Sequence, residues 1–273
     1  MRLLSPTRWA VATLLVAATF QCLSQAELQL EAAPQAEAGW RSEFGLGVIV
    51  NPEFQGADDY RVLPVPYFDL RYVDSQGEKY FVNVPQGIGA WLLRQRSDDG
   101  ARSLDVGVAL APGFANRDDD DLPGLEDFGP AVEARAYVRY GAGPWGLQAS
   151  FSQAVASGHE GFYADLSAAR RGRIGRTGFW SIGPTVRIGD GTYNDALYGV
   201  SAAETLTSSL PAYDAGSGIE SVGLQGLLSV PVSKNWRWTG LIRGGRLLGD
   251  PADSPVVEDE TQLFFITAFT RRF

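Results

Sequence analysis

From Trp40 to the C-terminus, apolar and polar residues alternate with a period of two, as in strands whose two faces meet different surroundings. Phe44, Leu46, Val48 and Val50 alternate with Glu43, Gly45, Gly47 and Ile49. Leu104, Val106, Val108 and Leu110 alternate with Asp105, Gly107, Ala109 and Ala111. The clearest run is Ala131 to Tyr140. There Val132, Ala134, Ala136, Val138 and Tyr140 share one face, and Glu133, Arg135, Tyr137 and Arg139 share the other. No stretch longer than a few residues carries a helical period. The pattern predicts strands near 41–50, 62–72, 79–84, 88–96, 102–112, 129–140, 145–155, 161–171, 177–188, 218–230, 236–248 and 260–273.

Alternation alone suits a soluble sandwich and a membrane barrel equally. Three further features favour the barrel. Short connectors (74–77, 97–100, 141–144, 172–175 and 233–235) alternate with mostly longer ones (about 51–61, 113–128, 189–217 and 249–259). Transmembrane barrels have this asymmetry, with short periplasmic turns and long outer loops. Trp40, Trp145, Trp180, Trp236 and Trp238 fall near the short-turn ends of strands, where an interfacial girdle would sit, and Trp91 is the exception. The last strand, QLFFITAFTRRF, closes the chain on Phe273, with Phe269 and Phe265 on the same alternate face. A terminal Phe on an amphipathic strand reads as the insertion signal for the barrel assembly machinery. An odd strand count would leave the termini on opposite sides of the membrane. The expected fold is therefore all-β: a closed antiparallel transmembrane β-barrel of about twelve strands with both termini periplasmic.

Composition narrows the chemistry. The 273 residues include one Cys, one His and one Met, and 20% are charged. One Cys with one His cannot supply a structural zinc site. The formal charge of −9 repels phosphate backbones, which argues against a nucleic-acid partner. Residues 1–26 read as a secretory signal peptide: Arg2 and Arg8, an apolar run from Trp9 to Phe20, then Ser24-Gln25-Ala26 with cleavage after Ala26. Phe20 and Gln21 before Cys22 are too large for a lipoprotein signal. The Ala/Glu/Pro-rich stretch 27–39 reads as a flexible periplasmic linker, and 40–273 as the outer-membrane barrel.

Gly45 to Tyr72 (GLGVIVNPEFQGADDYRVLPVPYFDLRY) resembles the opening of the MipA/OmpV family of outer-membrane proteins. That opening is a Gly-alternating strand, a P-E-F/Y-x-G-A/S-D-x-Y-R loop and a P-L/V/A-x-D-L/V/I-x-Y strand. LLGDPADSPV from Leu247 resembles the family's G-D-x-A-D/E-S-P loop, and Tyr193 to Val200 (YNDALYGV) and Leu210 to Ala215 (LPAYDA) resemble two further segments. The stretch Tyr80 to Gly89 has less Gly and Ser than the family pattern, and Arg271 stands where it commonly has an aromatic. The resemblance implies an outer-membrane barrel. It also implies a non-enzymatic role, as a scaffold tying murein hydrolase and synthase proteins together or in envelope maintenance; a small-solute, porin-like channel is the alternative. The partners implied are outer-membrane lipid, lipopolysaccharide and the assembly machinery.

Catalytic, cofactor and metal sites are not expected. His159 lies in a loop beside Ser157 and Glu160, and reads as a solvated histidine rather than a catalytic base. Asp118 to Asp121, with Glu126 and Asp127, lacks the spacing of a defined calcium loop. Bridging by divalent ions to lipopolysaccharide phosphates stays open for that run. Glu133, Arg135 and Arg139 must point inward if Val132 and Val138 meet lipid, because an arginine on the lipid face near the midplane costs about 2–4 kcal/mol. Arg237, Arg243 and Arg71 with Asp69 are lumen-facing candidates by the same alternation. The expectation is a charge-paired plug, with a narrow polar conduit as its rival.

Overall fold

The structure, a computed structural model, describes residues 38–273 apart from Gln76, Val84, Pro85, Phe114, Asn116 and residues 118–120. The signal segment, its cleavage site and most of the 27–39 linker lie outside the described residues. Twelve strands are described: β1 (Gly39–Pro52), β2 (Tyr60–Asp74), β3 (Gly77–Asn83), β4 (Gly87–Arg96), β5 (Arg102–Pro112) and β6 (Val132–Ala142). They continue with β7 (Trp145–Ala156), β8 (Phe162–Ile174), β9 (Gly178–Gly189), β10 (Gly218–Pro231), β11 (Trp236–Leu247) and β12 (Thr261–Arg272). Each pairs antiparallel with its neighbours in sequence, and β1 pairs with β12, so the sheet closes on itself. Closure leaves no edge strand to protect. The seam sets Glu43 against Arg272 and Gly47 against Ala268. At Gly45 a Cβ would sit 2.3 Å from the Phe269 carbonyl oxygen, so only glycine lets the first and last strands approach this closely.

The alternation sorts residues as a barrel turned inside out. Leu46, Val62, Ile88, Leu110, Leu147 and Leu224 are exposed on the outer wall, while Glu43, Asp69, Asp105, Glu133 and Arg135 are buried inside. Trp91 is among the buried residues, which explains why it departs from the girdle. The bore is filled from both sides. Ile49, Val65, Tyr67, Phe179, Leu227, Leu241 and Ile266 cluster along β9–β12, β1 and β2. Phe81, Trp91, Ala109 and Tyr137 form a second cluster on β3–β6.

The long loops fold over one end. Contrary to the expectation of no helix, the 190–217 loop contains α1 (Gly191–Tyr198), capped by the Asp190 carboxylate accepting the Tyr193 N–H at 2.7 Å. Tyr193, Asn194, Leu197 and Tyr198 form its buried side. Eight residues are too few for a period to stand out against the strands around them. Its side chains join Ala115, Tyr163, Ala215 and Leu247 in one apolar cluster over the bore. Leu125, Val200 and Val256 form another, with Phe54, Leu122 and Leu210 against it. A one-turn helix, α2 (Asp250–Asp253), sits in the last loop. Among the described residues no helix is long and apolar enough to cross a membrane, which says nothing of strands.

Candidate functional site

The buried charges inside the barrel fall into separate groups. In the first, the Glu133 carboxylate is wholly enclosed. Arg135 Nε donates to Oε2 at 2.7 Å and Tyr163 Oη to the same oxygen at 3.0 Å. His159 Nε2 lies 3.1 Å from Oε1. The other ring nitrogen, Nδ1, accepts the Gly161 N–H at 3.1 Å, which assigns the proton to Nε2 and makes His159 the donor. His159 is 2% exposed, so the expectation of a solvated loop histidine is overturned. Left-handed backbone at Ser157, Gly158 and Glu160 turns this loop back on itself and drives the ring under α1. There it meets Tyr193 edge-on at 4.9 Å. A Cβ on Gly161 would lie 2.2 Å from Tyr193 N, so glycine is required for that approach.

The second group lies toward the short-turn end. Arg71 Nε donates to Asp69 Oδ1 at 2.7 Å, with a further bond from Nη2 to Oδ2, and lies 3.5 Å from Glu78 Oε2. Trp91 Nε1 donates to Glu78 Oε1 at 2.7 Å. The Arg139 guanidinium stacks 4.0 Å above the Trp91 ring. Asp105 accepts from Arg94 at 3.4 Å and from Arg96 at 2.7 Å.

The third group lies toward the long loops. Arg187 holds Asp165 in a fork, with bonds of 2.8 and 3.1 Å, and donates to Tyr193 Oη at 3.2 Å. Its Nε is 3.6 Å from Glu220 Oε2. Tyr198 Oη lies 2.8 Å from Glu220 Oε1 and 2.9 Å from Gln55 Oε1. In α1, burial pushes the Tyr193 and Tyr198 hydroxyls well above their ordinary range, and the Glu220 carboxylate adds to the effect. Both therefore stay protonated; Tyr198 Oη is the donor toward Glu220 and Gln55, while Tyr193 Oη accepts from Arg187.

The loop cap has its own ionic tie. Arg117 donates to the Leu197 and Gly199 carbonyls at 3.1 and 2.8 Å and to Glu204 at 3.3 Å. Burial lowers its affinity for the proton, opposed by Glu204 and Asp195. Glu204 also accepts the N–H groups of Glu126 and Ser201, each at 2.7 Å.

Glu133, Arg135, Arg139, Arg237 and Arg243 are all on the inner side, but the structure does not bring them into one cluster. Arg135 pairs with Glu133, Arg139 stacks on Trp91, Arg237 bonds Ser229 Oγ at 3.1 Å and Arg243 reaches Gln225. The sequence reading missed the acids Glu78, Asp165 and Glu220 and the base Arg187. Asp165 and Arg187 sit at inward positions of strands already recognised, so the same alternation would have found them. Residues 118–120 of the acidic run lie outside the described residues. Asp121 pairs with Arg61 at 3.3 Å. Among the described residues no cluster of three or more His, Cys, Asp or Glu is placed to hold a metal ion.

The profile of the family described as MltA-interacting protein MipA matches residues 44–273. Comparison with curated proteins finds no match. Among solved structures, the chain is similar to the outer membrane channel DcaP of Acinetobacter baumannii, at 9% identity and a TM-score of 0.40, covering 88% of this chain and 99% of that one. It is also similar to an outer membrane channel from Pseudomonas putida F1, at 10% identity and a TM-score of 0.41, covering 89% and 98%. A loop-deleted OmpT of Vibrio cholerae follows at 6% identity and 0.34, covering 88% and 100%.

Proposed function

The chain belongs to the MltA-interacting protein MipA family, and from that premise we propose a non-enzymatic outer-membrane barrel that docks envelope proteins rather than passing solutes. The observation that carries this reading is the filled bore. Phe81, Tyr137, Ile49, Leu241 and Ile266 are each under 2% exposed inside the barrel, where a conducting pore keeps a polar, hydrated wall. The outward Leu, Val and Ile side chains of most strands support burial in lipid, since such a surface in water would be an association hazard.

In this reading both termini and the short turns face the periplasm and the capped loops face out. The partner in this reading is a murein-processing enzyme, the class that the family resemblance implies. The turns are too short to dock a protein alone, so the rim of the barrel must serve. That rim carries Arg170, Arg173 and Arg176 on one hairpin, with Trp145 beside it. The test is co-purification in mild detergent, scored for periplasmic murein hydrolases and synthases. The expected result is recovery of such an enzyme with the native barrel and its loss when all three arginines are changed to Glu. Equal recovery from both would remove the rim as the docking surface. A small-solute channel is the second reading, favoured by a cavity near the loop end.

A further inference from the structure

That cavity, a half-open cleft of about 200 Å³, is lined by β8–β12, the end of β1 and Tyr193 of α1. It is smaller than the roughly 300–1,000 Å³ of pockets for drug-sized ligands. Two carboxylates, Asp165 and Glu220, and two guanidinium groups, Arg187 and Arg243, face it. Phe54, Leu247 and Phe264 supply its apolar wall. The site is formally neutral but strongly dipolar.

The four charges are not equally satisfied. Arg187 and Asp165 hold each other in a fork. Arg243 makes a single hydrogen bond among the described residues, a 3.3 Å contact from Nη2 to Gln225 Oε1, and its buried Nε has no acceptor. Glu220 is 2% exposed; its Oε2 receives no hydrogen bond and has only the long 3.6 Å ion pair with Arg187, whose bonds go to Asp165. Buried polar atoms lacking partners are uncommon and costly, and each calls for an explanation.

We propose that this cavity binds a small zwitterion with an apolar side chain, a free α-amino acid or a short peptide. Its carboxylate sits on Arg243 and its ammonium on Glu220, with the side chain against Phe54 and Phe264. A simple anion would meet Asp165 and Glu220 as well as the arginines, and a simple cation would meet Arg187 and Arg243. A ligand carrying both charges gives Glu220 Oε2 a donor and Arg243 an acceptor while keeping the site neutral. The assignment stands whether the barrel docks proteins or conducts.

The test is calorimetric titration of the full-length barrel in detergent with L-leucine and glycyl-leucine. N-acetyl-L-leucine, which lacks the ammonium, and L-leucinamide, which lacks the carboxylate, serve as half-ligands. At least one zwitterion should bind, with leucine at least tenfold tighter than either blocked form. Arg243→Gln should abolish the preference for leucine over leucinamide, and Glu220→Gln the preference over N-acetyl-leucine. Folding of both variants is checked by the heat-dependent gel shift of closed barrels. No binding of either zwitterion overturns the proposal, as does equal affinity of the native barrel for all the leucine forms. Preferences unchanged in folded variants would do the same.

Discussion

His159 donates from Nε2 to Glu133 Oε1 across 3.1 Å, joining a loop residue to the wall of the barrel. Removing the ring leaves the Gly161 N–H and one carboxylate oxygen without partners, at about 1–3 kcal/mol. His159→Ala should therefore lower the urea midpoint of the barrel in lipid vesicles. His159→Gln, which keeps a donor for Glu133, should recover part of the loss. Identical midpoints for all three proteins would show that the contact contributes nothing.

The other side of the same cluster predicts a larger effect. Glu133→Ala leaves Arg135 buried without its carboxylate, and breaking a buried pair this way costs about 3–5 kcal/mol. Replacing Glu133 and Arg135 together by apolar residues should cost much less than Glu133→Ala alone. Simple additivity of the two single variants would contradict the pairing.

The loop cap should loosen in acid. Burial by itself raises the Glu204 proton affinity, but the N–H groups of Glu126 and Ser201 and the Arg117 guanidinium outweigh it and hold the group below the usual glutamate value. The stability it lends is present above the unfolded pKa near 4.5 and is lost as pH falls through the lower, folded value. Proteolysis of residues 121–130 and 200–215 should accelerate below about pH 4.5, following that unfolded value. Glu204→Gln should show fast cleavage at every pH. A native cleavage rate flat from pH 7 to pH 3 would count against the tie.

Phe273 donates its N–H to Ser42 O at 3.0 Å, and its ring meets Phe44 edge-on at 5.9 Å, while Arg271 lies 4.8 Å over that ring. Deleting Phe273 removes a contact on the closing seam as well as the expected insertion signal. Yield of heat-shifted barrel should fall more than for any single deletion within 27–39. Equal yields would count against both roles.

Twelve strands were legible because one face of each differs so sharply from the other, and because the chain closes on a strand ending in Phe273. The inward set Glu133, Arg135 and Arg139 was legible for the same reason. Their partners were not. Asp165 and Arg187 are 22 residues apart and meet only through the β8–β9 register. His159 was misjudged because loop composition suggests water, whereas three left-handed residues, two of them not glycine, turn it inward. The α1 helix was hidden by its brevity, though Asp190 before it is an ordinary capping residue.

The central claim is that side chains close the bore, and single-channel recording in planar bilayers tests it most directly. The native barrel should give no steady conductance. Phe179→Ala with Ile266→Ala, which thins the apolar cluster along β9–β12, β1 and β2, should produce brief openings. A large and steady current from the native protein would contradict the closed lumen and make the protein a channel.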